Sequence, residues 1–423
     1  MNASHRRTKV AVVNAGTHPE LVHLAVGLAS ADFDVRYLSA SMVPYKAGRI
    51  RRLLRGRLKQ DVNARTLPPE LASTHTYGLA LDLIFVAMSR TSLVSSATVL
   101  RWRNRYFEYR AARMLKQFRA DIVVAQQTVA KAVFDACGDA YKILNYPIAH
   151  HRWAQDLYEA EAQSNPTWSA FIQGLNVPEA EAALLDAEIK AADLVLVGST
   201  FVRRTFLEAG VVDAKLEVVP LGADIDFQGH SRDKGSEVSA DALRILFAGQ
   251  VNQRKGVGYL VDALEGMEAE DYSIRWVGPI EPPVRAALVG RGFTDITGAV
   301  SRASMQEHIR QADVVVLPSL IEGFPLTAIE TMAAGRVLVI SENTFGEDVI
   351  TPGVDGLIVK PADPVGLRDA LLWCIENRIA LPPMGAAARL RAEDFTWRKY
   401  EERSARTISR RLETQQSRQS NKH

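Results

Sequence analysis

Cysteine is nearly missing from this chain: Cys137 and Cys374 are the only two among 423 residues. Both fall in apolar helical stretches. That pattern excludes a disulfide framework and a thiolate metal cluster, and it fits a reducing compartment. Net charge is small as well, +2 at pH 7. This argues against a general nucleic-acid binder, and no nucleic-acid motif accompanies the basic stretches of the chain. Long apolar runs are absent. The most apolar window, Leu79–Met88, is interrupted by Asp82 and closed by Arg90, so it is too short to span a bilayer and reads as a buried or interfacial helix. The first residues, MNASHRRTKVAVVNAG, pass from a basic tip straight into a strand, without the apolar core and cleavage site of a signal peptide. The expectation is a cytoplasmic protein.

What the chain does contain is alternation. A hydrophobic content of 47% with 24% charged residues is ordinary for a soluble protein, and the length is too great for one core, so two domains are predicted. Lys9–Asn14 reads as a buried strand, Glu20–Ser30 as a helix and Asp34–Ser39 as the next strand, a Rossmann-like opening. Its turn carries Gly16 but not G-x-G-x-x-G, so the dinucleotide fingerprint is absent. Alternation resumes at Asp121 and again at Arg244. The stretch 223–240 is rich in Gly, Asp and Ser and reads as a linker between domains 1–222 and 241–394. A charged helix is predicted over 395–412 and a disordered tail over 413–423. Asp224 and Asp226 form a D-x-D pair, but two carboxylates alone make a poor cation site, and no metal is predicted.

Between 41 and 119 the pattern becomes mostly helical. Lys46, Arg49, Arg51, Arg52, Arg55, Arg57 and Lys59 stand together with no acid among them. A second run over 101–119 interleaves seven Arg or Lys positions with Trp102, Tyr106 and Phe107. Two readings stand for the basic helices 46–59 and 101–119: a solvated face, or peripheral contact with an anionic membrane. The segment Tyr141–Tyr146 is a strand that ends in Pro147-Ile148-Ala149-His150-His151. Two histidines just past a strand's carboxyl end are well placed for chemistry, although a buried structural histidine is the commoner case.

The densest signal is Ser319–Gly335, SLIEGFPLTAIETMAAG. A buried strand precedes it and a helix beginning near Thr327 follows it. The loop from a strand's carboxyl end into a helix N-terminus is where open α/β sheets bind ligands, and its free N–H groups favour phosphate. Glu322 and Glu330 bracket the turn. Thr327-x-x-Glu330 is also a capping-box pattern, so Glu330 has a structural reading beside the functional one. A second turn, Gly249–Gly256, holds Arg254 and Lys255, two cations suited to a diphosphate. It is not a P-loop, because G-x-x-x-x-G-K-[ST] fails. Both turns lie in the same half, where cations, helix N-termini and hydroxyl-binding carboxylates would converge on one cleft edge.

These motifs carry a resemblance. AGQVNQRKG (248–256), EGFPLTAIE (322–330), ETMAAG (330–335), GEDVITPGVDGLIV (346–359), VVPLGADIDF (218–227) and FTWRKY (395–400) resemble the retaining family 4 glycosyltransferases. The resemblance covers nearly the whole chain and is most specific after residue 240. It implies the GT-B fold: α/β, two Rossmann-like domains facing each other across a cleft, with the helix after 395 crossing back to the first domain. It implies transfer of a sugar from a UDP-sugar or GDP-sugar donor to a glycan or lipid-linked acceptor. The basic helices 46–59 and 101–119 add the expectation of cell-surface polysaccharide or glycolipid assembly at the inner face of the membrane. Lys255 and Arg254 would neutralise the donor diphosphate, and Glu330 would bind the ribose. Glu322 would contact the transferred sugar, and Gly323, Phe324, Pro325 and Leu326 would offer backbone N–H groups. His150 would match the histidine near the anomeric carbon, with His151 as fallback, and Gly16 would face the donor phosphate. Gln250, a lone Gly16 beside Ala15, and Val337 depart from the family pattern. With Arg254, Lys255 and a helix N-terminus on the leaving phosphate, no cofactor or metal is required. The rivals are a non-catalytic sugar-nucleotide-binding or scaffold protein of the same fold, and a sugar-nucleotide epimerase.

Overall fold

Runs of Val, Ile and Leu without alternation demand burial on both faces, and parallel sheets covered by helices supply it. The computed structural model describes residues 7–16, 18–40, 42, 66–71, 75–76, 85, 88, 96–172, 174, 177–225 and 242–420. Seven strands form a first parallel sheet: β1 (Lys9–Asn14), β2 (Asp34–Ser39), β3 (His75–Thr76), β4 (Ile122–Gln126), β5 (Tyr141–Asn145), β6 (Leu194–Val197) and β7 (Leu216–Val218), in the order β3-β2-β1-β4-β5-β6-β7. Six form a second: β8 (Leu243–Ala248), β9 (Tyr272–Val277), β10 (Ile296–Gly298), β11 (Val314–Leu317), β12 (Val337–Ser341) and β13 (Leu357–Val359), in the order β10-β9-β8-β11-β12-β13. Register is regular at the centre of each: Val10 opposes Ile122 across β1 and β4, and Val314 opposes Ile245 across β11 and β8.

Both sheets reverse their strand order once, between β1 and β4 and between β8 and β11. Those reversals open a crevice at the strands' carboxyl ends. They explain why turns far apart in sequence meet: Gly249–Gly256 leaves β8, and Pro318–Pro325 leaves its neighbour β11.

One buried apolar cluster joins the halves. It runs from Val10, Leu21 and Leu24 through Leu221, Phe324, Phe345 and Phe395 to Leu317 and Ile329. Burying each such side chain stabilises the fold by about 1.5–3 kcal/mol. The last helix, Trp397–Ser420, lies on Pro19–Ser30 of the first half. His23 stacks on Trp397 at 4.2 Å, and a Cβ on Gly27 would stand 2.4 Å from the Glu401 carbonyl oxygen.

One expectation needs correction. The final helix continues to Ser420, whereas composition predicts disorder from 413. The helix after β5 spans His151–Ser164, and helix Arg302–Gln311 is capped by Ser301, whose hydroxyl accepts the Ser304 N–H. Helices Pro282–Gly290 and Leu381–Ala392 and strand β10 lack a strong period and are not anticipated by pattern. The basic run 46–59, most of Leu79–Met88 and the linker beyond Ile225 lie outside the described residues.

Candidate functional site

The turn Gln253–Lys255 is a single 3-10 turn. Asn252 caps it, its side chain accepting the Lys255 N–H at 3.2 Å. Gly256 closes it at φ +75°, a left-handed conformation that favours glycine. A Cβ there would also stand 1.9 Å from the Pro318 carbonyl oxygen, so glycine lets the turn press on the end of β11. Leu320 N–H then donates to the Arg254 carbonyl at 2.9 Å, and Arg254 Nη1 donates to the Ile321 carbonyl at 3.3 Å.

Glu322 sits between the two cations of this turn. Lys255 Nζ lies 2.7 Å from Glu322 Oε1, and the Arg254 guanidinium pairs with the same oxygen. All three side chains are largely buried. Burial pushes the Lys255 ammonium down, with Glu322 opposing. Burial raises the Glu322 carboxyl, but Lys255 and Arg254 outweigh it and hold it below the ordinary glutamate range. The cluster is therefore a fixed centre with one surplus positive charge.

Gly323 makes the contact between the halves. A Cβ there would lie 1.6 Å from the Pro147 carbonyl oxygen. The Glu322 loop thus rests on the segment that leads into His150. The Phe324 ring packs against Phe345 at 4.5 Å and Phe395 at 6.0 Å in the shared core, so only its backbone, the part expected to serve a ligand, is left for that role. Pro325 has no N–H, so it cannot donate as the resemblance implies. Leu326 opens helix Leu326–Ala333.

Glu330 is buried in that helix, and the capping-box reading fails. Pro325 is the N-cap and makes no side-chain cap bond. Arg302 instead engages Glu330 Oε1, from Nη2 at 2.7 Å and Nε at 3.2 Å. Burial raises the Glu330 carboxyl despite Arg302. Arg302 also pairs with Asp224, the first member of the D-x-D pair, while Asp226 lies outside the described residues. Sequence reading missed Arg302, and nothing local signals it.

His150 is 4% exposed and is the N-cap of helix His151–Ser164: its Nδ1 accepts the Arg152 N–H at 3.3 Å. Its own N–H donates to Thr205 Oγ1 at 3.0 Å, and its ring lies 4.4 Å from His151 and edge-on to Phe206. Burial, reinforced by His151, lowers its pKa to about 4. His151 is tied elsewhere, its Nδ1 3.2 Å from the Tyr146 hydroxyl and its Nε2 2.9 Å from Asp186. His150, His151 and Asp186 place ligand atoms within 4.8 Å of one another. Arg152, however, already occupies the Asp186 carboxylate from Nε and Nη2 at 2.8 and 2.6 Å, a poor setting for a cation. Tyr158, on the same helix, lies near enough to Arg254 and Glu322 for both charges to act on its phenol, which burial raises to about 12.

Gly16 follows β1 on the first half's side of the crevice. Its N–H donates to Asn14 Oδ1 at 2.9 Å, and Arg103 donates to the carbonyl of neighbouring Ala15 at 2.6 Å. Arg254, Lys255, Glu322 and Gly323 are thus gathered directly. Glu330 stands on the adjoining helix, His150 enters through the Gly323–Pro147 contact, and Gly16 sits at the other sheet's reversal.

Two parallel α/β sheets meeting at their carboxyl ends are the GT-B fold. Sucrose-phosphate synthase from Thermosynechococcus elongatus superposes with a TM-score of 0.67 over 96% of this chain and 100% of its own, at 16% identity. HepE of Anabaena, in complex with UDP-glucose, gives 0.63 over 95% and 100%, at 15% identity. Residues 242–377, within the second half, match the model of the glycosyl transferases group 1 family. The chain is 29% identical over 274 residues to a D-inositol 3-phosphate glycosyltransferase of Kribbella flavida. That alignment covers 59% of this chain and 64% of the relative, so the chain spans under two thirds of the length of such relatives.

Proposed function

We propose that the chain is a glycosyltransferase. It moves a sugar from a nucleoside diphosphate donor to a glycan or lipid-linked acceptor, with retention of configuration, in cell-surface polysaccharide or glycolipid assembly. The observation that carries this reading is the buried Arg254–Lys255–Glu322 cluster beside the N-terminus of helix Leu326–Ala333, seated against the segment leading to His150. The UDP-glucose held by HepE supports the donor class.

The donor diphosphate would take Arg254 and Lys255 from Glu322, leaving that carboxylate to the hydroxyls of the transferred sugar. Glu330 would receive the ribose, and the Gly16 turn would face the phosphates. The bond between the anomeric carbon and the phosphate oxygen breaks as the acceptor oxygen bonds to that carbon. The acceptor proton passes to the departing phosphate. The two cations and the backbone N–H groups stabilise the charge that develops there, so the chemistry needs no metal. A neutral His150, through Nε2, would hold a sugar hydroxyl near the anomeric carbon without adding charge.

Placement at a membrane is part of the proposal. Helix Ser96–Phe118 buries Phe107, Ala111, Leu115 and Phe118, and turns Arg101, Trp102, Arg105, Tyr106, Tyr109 and Arg113 outward. Its one acid, Glu108, is buried and accepts the Ala132 N–H at 2.7 Å. A basic face with interfacial aromatics suits anionic lipid. Among the described residues, no helix is long and apolar enough to cross a membrane.

A panel of UDP-, GDP- and ADP-sugars tests the reading. One nucleotide class should raise the melting temperature and be released as free nucleoside diphosphate when acceptor is added, with the product's anomeric configuration retained by NMR. Absence of release with every donor and every lipid or glycan acceptor, in protein that still binds nucleotide, would favour the non-catalytic binding protein.

A further inference from the structure

The Arg254–Lys255 turn is held from outside its own domain. Gln253, the residue before the cations, is fully buried. Its Oε1 accepts the Gly258 N–H at 2.9 Å within the second half. Two further contacts cross to the first half: its N–H donates to the Phe171 carbonyl at 3.1 Å, and its Nε2 donates to Glu161 Oε1 at 2.7 Å. Glu161 is 5% exposed, and its second oxygen accepts the Tyr259 hydroxyl. Both carboxylate oxygens of a first-half residue are therefore spent on second-half donors. A buried carboxylate is tolerated only when its hydrogen bonds are satisfied, so this contact is strongly specified.

The surrounding packing supports the same link. Trp168 follows helix His151–Ser164 and is buried in the second half's core with Val257, Leu260 and Val261. A Cβ on Gly258 would stand 2.5 Å from the Trp168 ring. The helix that starts at His150 thus ends on the donor turn: Glu161 lies ten residues past His151, about 15 Å along the axis at 1.5 Å per residue.

We infer that Glu161 is a positioning residue for donor binding. Through Gln253 it holds the turn that aims Arg254 and Lys255, so donor affinity depends on contact between the two halves. This rests on the donor-site reading above. Both Glu161 carboxylate oxygens are taken by Gln253 and Tyr259, so its effect passes through the turn and the helix that follows it.

Calorimetric titration of UDP and of GDP into the full-length chain tests it, beside thermal melting of each variant. Glu161→Ala should weaken whichever nucleotide the wild type binds by at least about tenfold. Glu161→Gln keeps an oxygen for Gln253 and should stay within about threefold. The double variant Glu161→Ala/Gln253→Ala should bind no more weakly than the worse single variant, because both remove one link. If Glu161→Ala fails to fold, Gln253→Ala carries the same expectation. A lowered melting temperature with wild-type affinity in the folded protein makes Glu161 merely structural and overturns the inference alone. If the wild type binds neither UDP nor GDP, the donor site itself is refuted and the inference falls with it.

Discussion

Each half brings a buried titratable cluster to the crevice, and the two are built oppositely. In the second half Arg254 and Lys255 both pair with the buried Glu322 carboxylate, which their charge holds below the ordinary glutamate range. In the first half His150 and His151 are stacked and buried, and burial discourages protonation of both, with His151 adding to the effect on His150. Asp186, the nearby carboxylate, is shared with Arg152. One side thus offers fixed charge and the other a neutral imidazole. A glycosyl donor is equally asymmetric: its diphosphate needs cations, and its sugar needs hydrogen bonds without repulsion of a developing positive charge. Under the proposed function, the difference would let two halves of similar architecture divide one substrate.

The comparison breaks most visibly at its charged side. Lys255→Ala should weaken nucleoside diphosphate binding by roughly 2–4 kcal/mol, the scale for losing one partner of a buried charged contact. Arg254→Ala should follow the same direction. Affinity unchanged by calorimetry would remove both from the donor site.

At the neutral side, His150→Ala should lower turnover by about 100-fold, the scale for one preorganised hydrogen-bond donor. Donor affinity should move far less. A variant with wild-type turnover would shift the role to His151 or abolish it.

Acid should reveal the same neutrality in stability. An imidazole whose folded pKa of about 4 lies below its unfolded value contributes fully above the unfolded pKa, about 6.5. That contribution is lost as pH falls towards 4. The Glu188 carboxyl is raised by burial to about 7, so its contribution runs the other way and fades as pH rises through 7. His150→Asn keeps a good N-cap and isolates the histidine. Between pH 7 and pH 4 the wild type should lose of order 2 kcal/mol relative to this variant in denaturant unfolding. Parallel pH curves would mean that the imidazole is protonated in the folded protein.

The smallest effect has an unusual sign. Glu322→Gln removes the carboxylate that competes with a diphosphate for Arg254 and Lys255. Free nucleotide should then bind up to about tenfold more tightly, ~1.4 kcal/mol, while sugar transfer falls. Weaker nucleotide binding would show that Glu322 orients the cations rather than competing for them.

The same division separates what the sequence discloses from what it conceals. The second half's site is legible because its parts are contiguous. Arg254-Lys255 and Glu322–Leu326 each occupy one turn after one strand, and adjacency of β8 and β11 joins them. Most strands are legible in both halves, since doubly buried strands announce themselves as unbroken apolar runs, while the short, half-exposed β10 does not. Arg302 on Glu330 and Glu161 on Gln253 leave no local trace, being pairs 28 and 92 residues apart. The core packing of the Phe324 ring is likewise not readable from its motif, because its partners Phe345 and Phe395 are distant in sequence. His150 was found by its place after β5, but its burial and its role as a helix cap come from tertiary packing.

The central claim is that Arg254 and Lys255 form a nucleoside diphosphate site at the junction of the halves. Titration of UDP and GDP into wild type and Lys255→Ala, at one ionic strength, tests it most directly. The account predicts saturable binding of at least one nucleotide by the wild type and its loss by at least about 30-fold in the variant. Equal affinity in the two proteins, or binding of neither nucleotide by the wild type, would contradict it.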